Sequence, residues 1–184
     1  MRRAFLCALI ALTLALPAQA GKLAGVTLPE TVQVEGETLD LNGMGLRTRL
    51  FIKVYVAGLY LAEKSSSAEQ ILATDGARRL DMHFLRSVGS GSICGAWNDS
   101  LAANNSNPSA ELKGQFEDLC QWMEDVEKGD TMVFSYSPSN GTRIEVKGQE
   151  KGVVAGKTFA DALFASWIGA EPPSADFKSS LLGK

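Results

Sequence analysis

The chain has 184 residues, 45% of them hydrophobic and 21% charged, with a formal net charge of −3 at pH 7. That balance builds one solvated domain and excludes a disordered chain. A sequence pI near 5.3 supplies no positive field for a nucleic acid, and a single histidine leaves little for a His-rich metal site or a Ser-His-Asp triad.

Residues 1–20 have the form of an export leader. Met1-Arg2-Arg3 is a basic start, Ala4 to Leu16 is an almost unbroken apolar run, and Pro17 ends it. Ala18 and Ala20 are the small residues that a signal peptidase reads. The run is shorter than the ~20 residues that span a bilayer. Cys7 lies too early in it for a lipoprotein anchor, and no later segment is apolar enough to span. The expectation is a signal peptide over 1–20 cleaved before Gly21, one mature domain over 21–184, a periplasmic location and no stable membrane span. Removing Cys7 leaves Cys94 and Cys120, an even pair in an oxidising compartment. They are either a disulfide or two buried thiols, because spacing does not show whether their Cα atoms approach.

Residues 31–41 alternate around a Gly36 turn and predict a hairpin. Asn42-Gly43-Met44-Gly45 has turn composition. Leu46 to Leu61 is the strongest strand signal. Its even positions are largely apolar, its odd positions from Arg47 to Tyr55 are mixed, and both faces turn apolar beyond Val54. Residues 79–86 predict another strand. The period then changes: Ile93, Trp97 and Leu101 predict one helix. Leu112, Phe116, Leu119, Cys120, Met123 and Val126 predict a second, opened at Asn107-Pro108 and stopped by Gly129. Thr131–Ser137 and Thr142–Val146 flank Pro138-Ser139-Asn140-Gly141 as a hairpin. A last helix runs from about Lys157 to Ile168, capped by Gly169 and ended before Pro172-Pro173. One α+β domain results.

Several motifs fail on their spacing. Gly152 and Gly156 before Lys157-Thr158 are separated by three residues where a phosphate loop needs four, so a strand-to-helix turn is the better assignment. Gly43-Met44-Gly45 begins like a dinucleotide fingerprint, but Thr48 stands at its third glycine and a strand follows instead of a helix. His83 lies alone in a strand. Glu124, Asp125 and Glu127 form a solvated face of the second helix. Arg47 remains, a guanidinium at the head of an apolar strand. It is either an edge-strand charge or an anion anchor at the mouth of a cleft.

Gly43-Met44-Gly45-Leu46-Arg47 and Phe51-Ile52-Lys53-Val54-Tyr55-Val56-Ala57-Gly58-Leu59-Tyr60-Leu61 resemble the chalcone isomerase-like family. So does the helix from Gly156-Lys157-Thr158-Phe159 to Trp167-Ile168-Gly169. The resemblance covers nearly the whole mature chain. It implies an open-faced β-sandwich: a large antiparallel sheet with helices packed on one face and a cleft between the layers. The family holds plant enzymes that cyclise chalcones to flavanones, and fatty-acid-binding proteins. In the enzymes an Arg stabilises the attacking phenolate, and Arg47 matches it. A Thr of the next strand falls at Tyr55, and an Asn of the first helix at Asn98. The enzymes' ketone-polarising Tyr falls at Gly91 and a last-helix Ser/Thr at Ala160, so two hydrogen-bonding side chains are missing here.

The resemblance therefore implies a non-catalytic binder of a small amphipathic, fatty-acid-like anion, with Arg47, Tyr55 and Asn98 as ligand-binding residues and no metal or cofactor. The alternative is an intramolecular lyase with Arg47 as its oxyanion stabiliser. One geometric condition attaches to the binding reading. Eight residues of unbroken strand would hold Arg47 and Tyr55 roughly 26 Å apart, so they share a headgroup only if the chain bends or breaks between them.

Overall fold

The computed structural model describes residues 20–184; the signal peptide expected over 1–20 lies outside them except for Ala20. The chain opens with a small hairpin, β1 (Gly21–Leu23) and β2 (Val26–Leu28). The main sheet has seven strands: β3 (Thr31–Val34), β4 (Glu37–Arg49), β5 (Ile52–Leu61), β6 (Arg78–Phe84), β7 (Thr131–Ser137), β8 (Gly141–Val146) and β9 (Gln149–Val154). Their spatial order is their chain order and every pairing is antiparallel. The helices are inserted between or after strands: α1 (Ala68–Ala73), α2 (Ser90–Asn104), α3 (Ala110–Gln121), α4 (Lys157–Ile168) and α5 (Ala175–Leu181).

The sheet curls. In a flat sheet β3 and β8 would stand about 24 Å apart, five spacings of ~4.8 Å. Instead Arg143 of β8 pairs with Glu35 of the β3–β4 turn at 2.6 Å. The helices cover one face, where α4 is buried from Phe159 to Ile168 apart from half-buried Asp161. Trp97 of α2, Trp167 of α4 and Phe134 of β7 meet there with centroids 5.3–5.6 Å apart, inside the range of favourable tilted aromatic pairs. The other face holds a smaller cluster of Leu28, Val34, Leu39, Leu41, Tyr60 and Ala77, to which the first hairpin contributes.

Among the described residues Arg78 is the one cation sealed into the core, 1% exposed. It donates to the Ile71 carbonyl at 3.0 Å and pairs with Asp161, which Lys157 also reaches. Its guanidinium lies over the Tyr136 and Phe164 rings. A charge so buried is tolerable only with partners of this kind, and the cluster ties α1 and α4 to the sheet.

Four sequence expectations are corrected. The strand expected over Leu46–Leu61 is two strands, because the chain reverses at Leu50 and Phe51, both with positive φ (47° and 68°). The turn expected over Asn42–Gly45 is the interior of β4. Its glycines serve close approach instead: a Cβ on Gly43 would fall on the Ser180 carbonyl oxygen and 2.7 Å from that of Leu181, and one on Gly45 would lie 2.9 Å from the Phe177 ring. This lets α5 lie directly on β4. Asn42 sits at a bulge and locks the contact, donating to the Leu181 carbonyl at 2.8 Å.

The second helix stops at Gln121 instead of reaching Val126. Trp122 caps it and packs on Gly152, and Val126 is held in a bridge to Val88. The carboxylates expected on that helix therefore lie beyond its end. Glu124 pairs with Lys147 and Lys151, and Asp125 accepts from the Ser90 amide and hydroxyl at the start of α2. The sequence patterns also gave no sign of α1, α5, β9 or the β1–β2 hairpin.

Candidate functional site

The reversal at Leu50-Phe51 makes Arg47 and Tyr55 direct partners across β4 and β5, and Phe84 of β6 is the next partner beyond Tyr55. Cross-strand partners share a face, so the three form one row across the sheet. The condition set by the 26 Å span is met because the chain folds back on itself. A bulge between Arg47 and Thr48 leaves Val54 without its own partner. Bulges re-aim neighbouring side chains, and here the consecutive residues Val54 and Tyr55 both reach the same cleft.

That cleft has a volume of about 490 Å³ and lies between the sheet and the helices. Val54, Tyr55, Met82 and Phe84 form its sheet side. Ile93, Ala96, Trp97 and Ser100 of α2 form its helix side, with Ser166 and Trp167 of α4. Arg47, Arg49, Glu171, Pro172 and Pro173 belong to the same wall. The wall combines apolar and aromatic side chains with charged and hydroxyl groups, and its volume is within the ~300–1,000 Å³ usual for a small-molecule site.

Arg47 is held by the backbone. Its Nη1 donates to the carbonyls of Thr48 (2.9 Å) and Pro173 (3.0 Å), which orients the guanidinium against the loop after α4. Among the described residues its Nη2 and Nε have no protein acceptor, so these donors remain for an anion. Asn104 fixes the same loop from α2, accepting from the Glu171 amide (3.0 Å) and donating to the Glu171 carbonyl (3.2 Å).

Tyr55 packs between Phe84 and Phe177, each 5.8 Å away by centroid. Burial pushes its phenol up to about 12, against the smaller opposing pulls of the Trp167 side chain and the Arg47 charge. At neutral pH it is a protonated donor. Trp97 adds an indole N–H that is buried and has no partner among the described residues. The Ser100 and Ser166 hydroxyls bond to each other at 2.8 Å. Asp99 and Glu171 also line the cleft, opposite in charge to Arg47 and Arg49.

The structure thus brings Arg47 and Tyr55 together. Asn98 is elsewhere: exposed on α2, it donates to Cys94 Sγ at 3.6 Å and is not part of the cleft wall. Gly91 is exposed in the first turn of α2, and Ala160 is fully buried in α4 outside the cleft. Cys94 and Cys120 form a disulfide joining α2 to α3, with Cα atoms 5.0 Å apart, which resolves the alternative that spacing left open. The sequence did not single out Trp97, Ser100, Ser166 or Trp167 as site residues. Trp97 and Trp167 carry a core signal, and helical periodicity does not separate core from cleft wall. Among the described residues no group of three His, Cys, Asp or Glu side chains is arranged to hold a metal, and no helix is long and apolar enough to cross a membrane.

The model of a family described as chalcone isomerase-like matches residues 20–183. The chain belongs to the chalcone isomerase-like family. No curated protein matches it significantly. Among solved structures, this family member is similar to a fatty-acid binding protein of Arabidopsis thaliana, with a TM-score of 0.73 over 89% of this chain and 96% of that one. The two are 15% identical, so the likeness speaks to the fold: a curled antiparallel sheet with helices on one face.

Proposed function

We propose that this chalcone isomerase-like protein is a non-catalytic, periplasmic binder of a small amphipathic anion of fatty-acid type. The observation that carries the proposal is the pairing of Arg47 and Tyr55 across one hairpin, beside an apolar cleft. Two guanidinium nitrogens without acceptors among the described residues and a protonated phenol can bind a carboxylate by charge-assisted hydrogen bonds. Tyr55, Met82, Phe84, Ile93 and Trp97 offer an apolar path for a chain.

The turnover reading is weaker, since Gly91 and Ala160 contribute no hydrogen-bonding side chain and Asn98 is turned away. The periplasmic assignment is supported by the form of residues 1–20, by a family match that begins at residue 20, and by a disulfide suited to an oxidising compartment.

Native and denaturing mass spectra of the protein purified from its own periplasm test both parts. The expected result is a chain beginning at Gly21 that carries an organic acid, released on denaturation and lost in Arg47→Met. An empty wild-type protein that also fails to take up added dodecanoate overturns the binding proposal. Cyclisation of a chalcone far above background, abolished in Arg47→Met, would replace it with the lyase.

A further inference from the structure

Among the described residues four large apolar side chains are exposed, and three of them are consecutive. Leu50 is 83% exposed, Phe51 102% and Ile52 48%. They form the tip of the β4–β5 hairpin, a two-residue turn with positive φ at both central positions. Such a turn is ordinarily made by Asn-Gly, which accepts that conformation readily. Leucine and phenylalanine fit it poorly and gain no contact within the fold, so the tip's composition answers to something outside it.

The charge around the tip narrows what that is. Between Asp40 and Glu63 the chain has no acidic residue, yet it carries Arg47, Arg49 and Lys53. Arg49 and Lys53 are exposed, flank the turn and make no ion pair among the described residues. An acidic protein therefore presents an apolar wedge between two free cations. A second copy meeting this tip about a two-fold axis would oppose like charges, whereas an anionic bilayer supplies both an apolar interior and a negative surface. The tip also adjoins the cleft: Arg49, two residues or about 7 Å of strand from Phe51, lines the cleft wall.

We infer that the β4–β5 tip is a membrane-docking finger. Leu50, Phe51 and Ile52 enter the headgroup–acyl boundary of an anionic bilayer, Arg49 and Lys53 lie on its headgroups, and the Arg47 side of the cleft faces the lipid. Docking stands on the tip alone. Its consequence, exchange of an amphipathic ligand directly with the bilayer, rests on the binding function proposed above.

Vesicle co-sedimentation tests it with secreted protein whose mass confirms removal of the leader. Vesicles of phosphatidylcholine are compared with an equal mixture of phosphatidylcholine and phosphatidylglycerol. The wild type is expected on the anionic vesicles, with affinity falling as salt rises. Leu50→Asn/Phe51→Gly removes the apolar wedge while improving the turn, so it folds and is expected to bind about tenfold more weakly or worse. Arg49→Gln/Lys53→Gln lowers binding and flattens the salt dependence. Phe51→Trp is expected to blue-shift its emission on the vesicles and to be quenched by brominated lipid.

Tyr55→Phe weakens dodecanoate binding and leaves vesicle binding unchanged, which separates failure of the cleft from failure of the finger. Wild-type protein that ignores anionic vesicles, or tip variants that bind them equally well, overturns the inference. So does a wild-type dimer in sedimentation velocity that Leu50→Asn/Phe51→Gly converts to monomer without any vesicle binding.

Discussion

Replacing Arg47 with methionine removes the guanidinium and keeps an unbranched apolar stem against the cleft wall. Two losses follow, and they separate by ligand. The first is the bond to the Pro173 carbonyl, whose loss loosens the loop and weakens every ligand alike. The second falls only on an anion. A hydrogen bond to a charged group is worth about 1.5–3 kcal/mol, so carboxylate affinity drops by a further factor of roughly ten to 150. Calorimetric titration with dodecanoate and with dodecanol measures the difference. Dodecanoate is expected to lose at least about tenfold more affinity than the alcohol. Tyr55→Phe is expected to lose less, and the double variant is expected to depart from the sum of the singles because both donors reach one headgroup. If Arg47→Met weakens acid and alcohol equally, Arg47 is a loop anchor and the headgroup site lies elsewhere.

Three further outcomes follow from the packing. Gly43→Val forces a side chain into the carbonyls of Ser180 and Leu181 and is expected to cost about 1–3 kcal/mol or more as α5 lifts from β4; unchanged thermal stability would contradict that contact. Reducing the Cys94–Cys120 disulfide opens a loop of sequence separation 26 and should destabilise the fold by about 3.5 kcal/mol on the chain-entropy account, read as a drop in the denaturation midpoint that the Cys94→Ser/Cys120→Ser variant reproduces.

The third outcome is a pH dependence. All three tyrosines are held above their ordinary range. Burial leads in each, pushing Tyr55 and Tyr136 up to about 12 and raising Tyr60 as well. A raised phenol binds its proton more tightly folded than unfolded, so its contribution is intact below about pH 10 and is lost as pH rises from 10 towards 12. Phenolate absorbance at 295 nm should stay near zero at pH 10.5 in native protein and appear with a midpoint near 10 in denaturant. A native midpoint near 10 would show that the tyrosines are open to water.

Local chemistry made much of this fold readable. Alternation over 31–41 and over β7 and β8, with turn residues between, needs no distant partner to be recognised. The span of α4 from Lys157 to Ile168 follows from its apolar content and the Gly169 stop. Arg47 stood out because it is the first cation after a glycine-rich, apolar approach. What local chemistry could not show was made by pairing between distant or unsuited residues. No turn signal marks Leu50-Phe51; registry between β4 and β5 imposes the reversal, and that reversal sets Arg47 opposite Tyr55. Gly43 and Gly45 look like a turn until α5, more than 130 residues on, is laid across them. Helical periodicity cannot tell Asn98, turned to solvent, from Ser100, turned to the cleft, because that choice depends on where α2 sits over the sheet. The sequence by itself marked the elements from β6 to α4 apart from β9, and the cation Arg47; only tertiary packing divided β4 from β5 and decided which residues meet, since a site is defined by distances that the order of residues along a chain does not contain.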